Sequence, residues 1–292
     1  MAMVGEVPVC GARTTATPDC ATTTSPVLCH GFIGTRRDYH PDPGHLWALG
    51  IRLLIPERPG CGDSDPQPQR RVRDWPQDVE QLLAHLGVGR FGVLSWSMGA
   101  AYALELARAM PQRVQALYLI SPMAPVHRMA DLRHYRGEGA FLTTLAFYTP
   151  RLVLPALRMA AAGLRKDVEP LIDKELAREP ASAVINNPQW RAQRALSLRT
   201  AARNGAERAE AEVMCALHTW ETGYPRWPFP TTVWHGEADP QVHWHAGQTV
   251  AELVPGARFR SVAGAGHFLL FAQWRTLLGG MRAAVESGVS EP

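Results

Sequence analysis

The chain has 292 residues, 46% hydrophobic and 20% charged, with 25 Gly and 24 Pro. That content can fill a sizeable core and excludes disordered, collagenous and coiled-coil architectures. Thirty basic against 27 acidic residues leave a formal charge of +3 with no block of like charge, so nucleic acid is not expected as a partner.

Segment 1–25 has no basic start followed by a sustained apolar core, so no secretory signal is read in it. Its one weak strand candidate is Val7–Cys10, and it is expected either to shorten a sheet edge or to be poorly ordered. From Val27 onward the chain alternates between two hydrophobic periods. Val27–Cys29 is a short apolar strand, Leu46, Trp47 and Leu49 fall in a helix stopped by Gly50, and Ile51–Ile55 is a strand closed by Pro56. Trp75–Leu86 has helical spacing, Phe91–Leu94 is a strand, Ala100–Met110 a helix and Val114–Ile120 a strand. This rhythm predicts a mostly parallel, doubly wound α/β sheet with helices on both faces.

After Ser121 the rhythm breaks. Residues 122–224 carry only helical patterns, punctuated by Pro150, Pro155, Pro170, Pro180 and Pro188. It resumes with a strand at Thr231–Trp234, a helix at His243–Leu253, a strand at Arg258–Val262 and a helix at Phe268–Val285. The expected organisation is a core of 26–121 and 225–292 with an all-helical insertion at 122–224. No stretch of ~18 uninterrupted apolar residues is long enough to span a bilayer. The nearest, Gly139–Gly163, is broken by Arg151, Pro155 and Arg158. Cys10, Cys20, Cys29, Cys61 and Cys215 lack CxxC spacing, which argues against a disulfide framework and a zinc knuckle. A cytoplasmic protein with reduced thiols and no metal or cofactor is expected.

The sharpest chemical signal is Ser95-Trp96-Ser97-Met98-Gly99, between a strand and a helix. A nucleophile on a tight strand-to-helix turn needs small residues two before and two after it, because the backbone passes close to itself there. Ser97 meets that condition with Ser95 and Gly99; Ser95 does not, because Val93 precedes it by two. The bland alternative is a helix N-cap, a place Ser favours.

This segment resembles the nucleophile elbow of the α/β-hydrolase superfamily, and the resemblance extends over about 26–287. His30-Gly31-Phe32 after the first core strand is similar to the family's oxyanion loop. Asp239 in His235-Gly236-Glu237-Ala238-Asp239 follows a late strand where the family has its triad acid, and His267 in Gly264-Ala265-Gly266-His267-Phe268 follows the last strand where it has its base. The order Ser, Asp, His is the superfamily's own. The resemblance implies Ser97 as nucleophile, His267 as base, Asp239 as the group orienting it, and the backbone N–H groups of Phe32 and Met98 as oxyanion hole. Asp239 can also be read as a turn residue before Pro240, with Glu237 the nearest competing carboxylate. His267 can be read as a cap before the final helix, and His235, His243 and His245 as metal ligands without a convergent partner. The Arg58–Asp65 loop, which also resembles the superfamily, is read as structural.

The insertion stands where the superfamily has its lid, and its apolar tract at Phe141, Leu142, Leu145, Phe147, Tyr148, Leu152, Val153 and Leu154 is expected to pack on the core, with a subset lining an apolar pocket. Ser97 excludes the branches that use Asp as nucleophile. The segment His30-Gly31-Phe32-Ile33-Gly34 departs from the His-Gly-Gly-Pro-Gly of prolyl aminopeptidases. The expected activity is hydrolysis of a small, hydrophobic carboxylic ester through an acyl-enzyme, the partner being that small-molecule substrate. Lactone, thioester or C–C bond hydrolysis, or perhydrolase-type activity, is the alternative on the same triad, and a non-catalytic ligand-binding protein is the alternative of another class. Oligomeric state is not readable from one sequence.

Overall fold

The structure, a computed structural model, describes residues 4–7, 24–40, 42–67, 70–180, 186–218, 220 and 223–287. In chain order the elements are β1 (Val4–Val7), β2 (Val27–Cys29), α1 (Gly44–Ala48), β3 (Leu53–Pro56), α2 (Trp75–His85), β4 (Phe91–Trp96), α3 (Gly99–Ala109) and β5 (Val114–Ile120). Then follow α4 (Gly137–Tyr148), α5 (Val153–Lys166), α6 (Glu169–Arg178), α7 (Pro188–Asn204) and α8 (Ala206–His218). The chain closes with β6 (Thr231–Gly236), α9 (His245–Leu253), β7 (Arg258–Val262), α10 (Leu269–Ala272) and α11 (Trp274–Ser287).

The sheet order is β1-β3-β2-β4-β5-β6-β7, all parallel except β1, which pairs antiparallel with β3 at the edge. The central strands are apolar without alternation because both faces are covered. Successive side chains of β2, β4 and β5 go to opposite faces. Val27, Val93 and Leu117 pack with Val79 and Leu83 of α2 and Leu104 of α3. Leu28, Leu94 and Tyr118 pack with Leu46 of α1 and Leu277 and Met281 of α11. All six residues of β4 are buried. Each such aliphatic or aromatic side chain contributes about 1.5–3 kcal/mol, so the strand leading to Ser97 is a rigid platform.

The elements match the periodicities apart from shifts in position: β3 begins at Leu53 and not Ile51 and takes in Pro56, and β4 and β6 run on to Trp96 and Gly236. The N-terminal strand is Val4–Val7 and not Val7–Cys10, of which residues 8–10 lie outside the described residues. Four residues on an edge carry too little period-two signal to be placed. The helix expected from His243 begins at His245. The helix expected over Phe268–Val285 is divided at Gln273, whose φ of −110° and ψ of 23° leave the helical region. Between β5 and β6 the described residues form helices and no strand. Trp190 of α7 anchors that segment to the core, its ring 5.1 Å from Phe268 and 5.8 Å from Phe271.

Candidate active site

Ser97 stands at the end of β4 with φ +55°, in the left-handed region that non-glycine residues seldom occupy. Such a conformation costs roughly 1–3 kcal/mol and persists only where the surroundings impose it. Here Ser97 N–H donates to Ile120 O at 3.0 Å and Ser97 O accepts from Met123 N–H at 3.3 Å, tying the turn to β5 and the residues beyond it. A β-carbon on Gly99 would come within 2.0 Å of Cys29 O, so only glycine lets α3 start this close to β2. Met98, not Ser97, occupies the N-cap position of α3, and no side chain caps it.

Asp239 follows β6 and is 1% exposed, whereas Glu237 lies at the surface. Oδ1 of Asp239 accepts the N–H groups of Gln241 and Val242, both at 2.8 Å. Oδ2 accepts from His267 Nδ1 at 2.8 Å and His235 Nε2 at 3.1 Å. His235 Nε2 also contacts Val242 O at 3.0 Å, and since a carbonyl only accepts, that nitrogen carries the hydrogen. Burial alone would raise the Asp239 carboxyl, but the charge and hydrogen bonds of His267 and His235 hold it well below the usual carboxylate range.

His267 is 3% exposed. Donation from Nδ1 to Asp239 leaves Nε2 as the acceptor, the tautomer a general base needs. Burial disfavours the imidazolium, yet the Asp239 carboxylate, and after it Glu179 and Glu175, hold the His267 pKa above its ordinary value. The turn at Ser97 and the His267 loop also meet directly. Trp96 Nε1–H donates to His267 O at 3.0 Å, and the two rings are 5.6 Å apart. A β-carbon on Gly236 would sit 2.2 Å from Ala265 O, so glycine is what lets the His267 loop lie across the end of β6.

The loop 30–34 is gripped from several sides. His30 Nδ1 donates to Gly31 O at 3.0 Å, and Gly34 N–H reaches the same oxygen at 3.3 Å. Burial, then Arg58, lowers the His30 pKa to about 3, so the ring stays neutral. Arg58, read from sequence as part of a structural loop, donates Nη1–H to His30 O at 2.6 Å and Nη2–H to Gly31 O at 2.9 Å. Glu179 was not singled out by any motif, yet its carboxylate accepts the backbone N–H of His267 at 3.0 Å.

An apolar cavity of about 370 Å³ lies between the inserted helices and the ends of the core strands. Phe32 and Ile33 of the loop 30–34, with Pro240 and Gln241 next to Asp239, line one side. Small side chains of α5, α7 and α8, among them Ala160, Ala161, Ala202 and Ala206, line the other. Ser97 and His267 do not line it. Of the apolar tract expected to contribute, only Phe141 and Leu142 line the cavity, while Tyr148 and Leu152 are more than half exposed. Among the described residues no group of three or more His, Cys, Asp or Glu is arranged to hold a metal ion, and the His243 and His245 rings are stacked on each other. Cys29 and Cys61 are buried free thiols, each pushed up to about 12 by burial. No helix among the described residues is long and apolar enough to cross a membrane.

A family model described as alpha/beta hydrolase fold matches residues 27–272. Over 99 residues, 32% of this chain and 26% of the other, the sequence is 35% identical to a dihydrolipoyllysine-residue acetyltransferase component of an acetoin cleaving system from Pseudomonas putida. Over 101 residues, 33% and 35% of the two chains, it is 28% identical to a 2-hydroxy-6-oxo-6-phenylhexa-2,4-dienoate hydrolase from Burkholderia cepacia. The chain thus spans about a quarter to a third of the length of the curated relatives it matches. Its fold is similar to that of a thermophilic esterase from Thermogutta terrifontis, with a TM-score of 0.64 and 18% identity, covering 98% of this chain and 93% of that one. With the family model extending from β2 to the end of α10, the chain belongs to the alpha/beta hydrolase fold family.

Proposed function

We propose that the protein is a serine hydrolase that cleaves a small, hydrophobic carboxylic ester through an acyl-enzyme. Ser97 Oγ attacks the ester carbonyl while His267 Nε2 takes its proton, giving a tetrahedral oxyanion held by the Phe32 and Met98 N–H groups. Collapse of that intermediate expels the alcohol, which receives the proton from His267. Water then attacks the acyl-enzyme with His267 again as base, releasing the carboxylic acid. Asp239 stabilises the imidazolium and fixes its tautomer.

The observation that carries this reading is the Asp239 Oδ2 to His267 Nδ1 bond at 2.8 Å, next to a serine at φ +55° whose neighbour Trp96 donates to His267 O. A carboxylate kept ionised beneath a buried imidazole is what a general base requires. The apolar cavity beside Phe32 and Gln241 supports a hydrophobic acyl or alcohol group. In this reading 122–224 is a helical cap on the 26–121 and 225–292 core, and the substrate is a small molecule. The similarity to esterases such as that of Thermogutta terrifontis favours ester hydrolysis.

C–C bond hydrolysis on the same triad is the second reading, favoured by the similarity to the Burkholderia cepacia hydrolase. A panel of p-nitrophenyl esters of rising chain length, run beside a 2-hydroxy-6-oxo-dienoate, separates the two. Multiple turnovers on the esters with none on the dienoate are expected. Turnover of the dienoate alone would replace the ester reading, and saturable binding of both without product would replace it with a binding protein.

A further inference from the structure

Arg58 lies at the start of the Arg58–Asp65 loop, 2% exposed, and every nitrogen of its guanidinium has a buried acceptor. Nε–H donates to Glu212 Oε1 of α8 at 2.5 Å, Nη1–H to His30 O and Nη2–H to Gly31 O. Its Cζ lies over the Tyr102 ring, 4.5 Å from the centroid. Burial would lower the pKa of Arg58, but Glu212 first, then Cys61 and Tyr102, together more than offset it. Burial would raise the Glu212 carboxyl, yet Arg58 and Arg208 bring it down to about 2, so the pair is ionised at any working pH. Burying a charge pair is seldom a route to stability, since well-packed apolar residues do as well or better. The pair is therefore held for what it does to its neighbours.

The neighbour that matters is the peptide between Gly31 and Phe32. It is trans, as are all the described peptides, and planar, so its C=O and its N–H point in opposite directions. The C=O is that of Gly31, which takes Arg58 Nη2, His30 Nδ1 and the Gly34 N–H. The N–H is that of Phe32. We propose that Arg58 is a positioning residue for the oxyanion hole, fixing and polarising the Gly31–Phe32 peptide so that the Phe32 N–H is a pre-aimed, strengthened donor. This rests on the oxyanion role assigned to Phe32 above.

The physical basis is twofold. Donors aimed before the reaction need no reorganisation as charge develops on the substrate oxygen. Hydrogen bonds in a chain also polarise one another, so a charged donor on the carbonyl strengthens the amide proton at the other end. Lysine cannot replace this arrangement, because one ammonium does not span two adjacent carbonyls and a carboxylate with fork geometry. Through Glu212, the alignment of the donor also depends on helix α8 of the insertion being docked.

The test uses the full chain in three forms: wild type, Arg58→Lys, and Arg58→Met with Glu212→Leu. The last removes both buried charges together, so it avoids the unpaired carboxylate that would unfold the single variant. Active sites are first counted by end-point labelling with a fluorophosphonate. Lack of labelling in the wild type would refute the serine-hydrolase reading itself, before any variant is considered. Given wild-type labelling, kcat and KM for a short p-nitrophenyl ester and the affinity of a trifluoromethyl ketone, whose adduct bears the oxyanion, are measured per labelled site. Both variants should lose about 10- to 100-fold in kcat with KM changed by less than about threefold, and trifluoromethyl ketone affinity should fall in proportion. If Arg58→Lys does not fold, the apolar pair decides alone. Folded variants that keep kcat per site and ketone affinity within about threefold of wild type would overturn the proposal. So would a loss confined to thermal stability.

Discussion

Glu179, the first residue past α6, accepts the backbone N–H of His267 through Oε1 at 3.0 Å and that of Phe268 through Oε2 at 3.4 Å. A side chain from the insertion thus holds the loop that presents the candidate base. Burial pushes the Glu179 carboxyl up from an ordinary 4.5 to about 7; Asp239 adds to this and His267 opposes it. The folded state therefore keeps this proton to higher pH than the unfolded state does, and the carboxyl makes stability fall as pH rises from 4.5 to about 7. Glu179→Gln should flatten that part of the stability curve. Urea unfolding at several pH values checks it, and an unchanged pH dependence would contradict the assignment.

The pH dependence of kcat/KM reports the free enzyme's base. Because Asp239, Glu179 and Glu175 together more than offset burial and hold the His267 pKa above the ordinary 6.5, activity should rise with pH through an acid limb above that value. Asp239→Asn should cost on the order of 10³–10⁴ in kcat, since an amide neither stabilises the imidazolium nor selects the tautomer. An acid limb below 6.5 in the wild type would be inconsistent with the His267–Asp239 pair.

Gly99→Ala places a methyl group where Cys29 O stands 2.0 Å away, a backbone atom with no freedom to move aside. The expected loss is at least ~2–3 kcal/mol, seen as a lower urea midpoint at unchanged slope. A variant as stable as wild type would mean that α3 and β2 are not packed this closely.

Filling the cavity should shorten the preferred chain. Ala161→Phe adds bulk to a wall built of alanines, so kcat/KM for long acyl or alkyl esters should drop by about 10-fold or more while acetate esters change by less than about threefold. Equal losses at all chain lengths would mean that the cavity does not receive the substrate.

The sheet and the turn at Ser97 were legible because their physics is local. A strand buried on both faces must be apolar without alternation, as Phe91–Trp96 is, and a tight elbow must have small residues at fixed offsets, as Ser95 and Gly99 are. Asp239 and His267 were singled out by the resemblance to the superfamily, in its order after the strands, and the structure brings them to hydrogen-bond distance. Glu179 and Arg58 were not found in these roles, because each acts on residues or partners far along the chain. Glu179 bonds a residue 88 positions on, and Arg58 pairs with Glu212 at a separation of 154. No periodicity encodes such pairings. Of the cavity wall only Phe141 and Leu142 were legible, for a related reason. Alanines in α5, α7 and α8 read as good helix formers, and only packed helices reveal them as empty space.

The most direct measurement is the intact mass of the protein after a fluorophosphonate, followed by peptide mapping, in wild type and in Ser97→Ala. The account predicts one adduct per chain, located on Ser97 and absent from the Ala variant. An adduct on another residue, or none on a well-folded wild type, would contradict it.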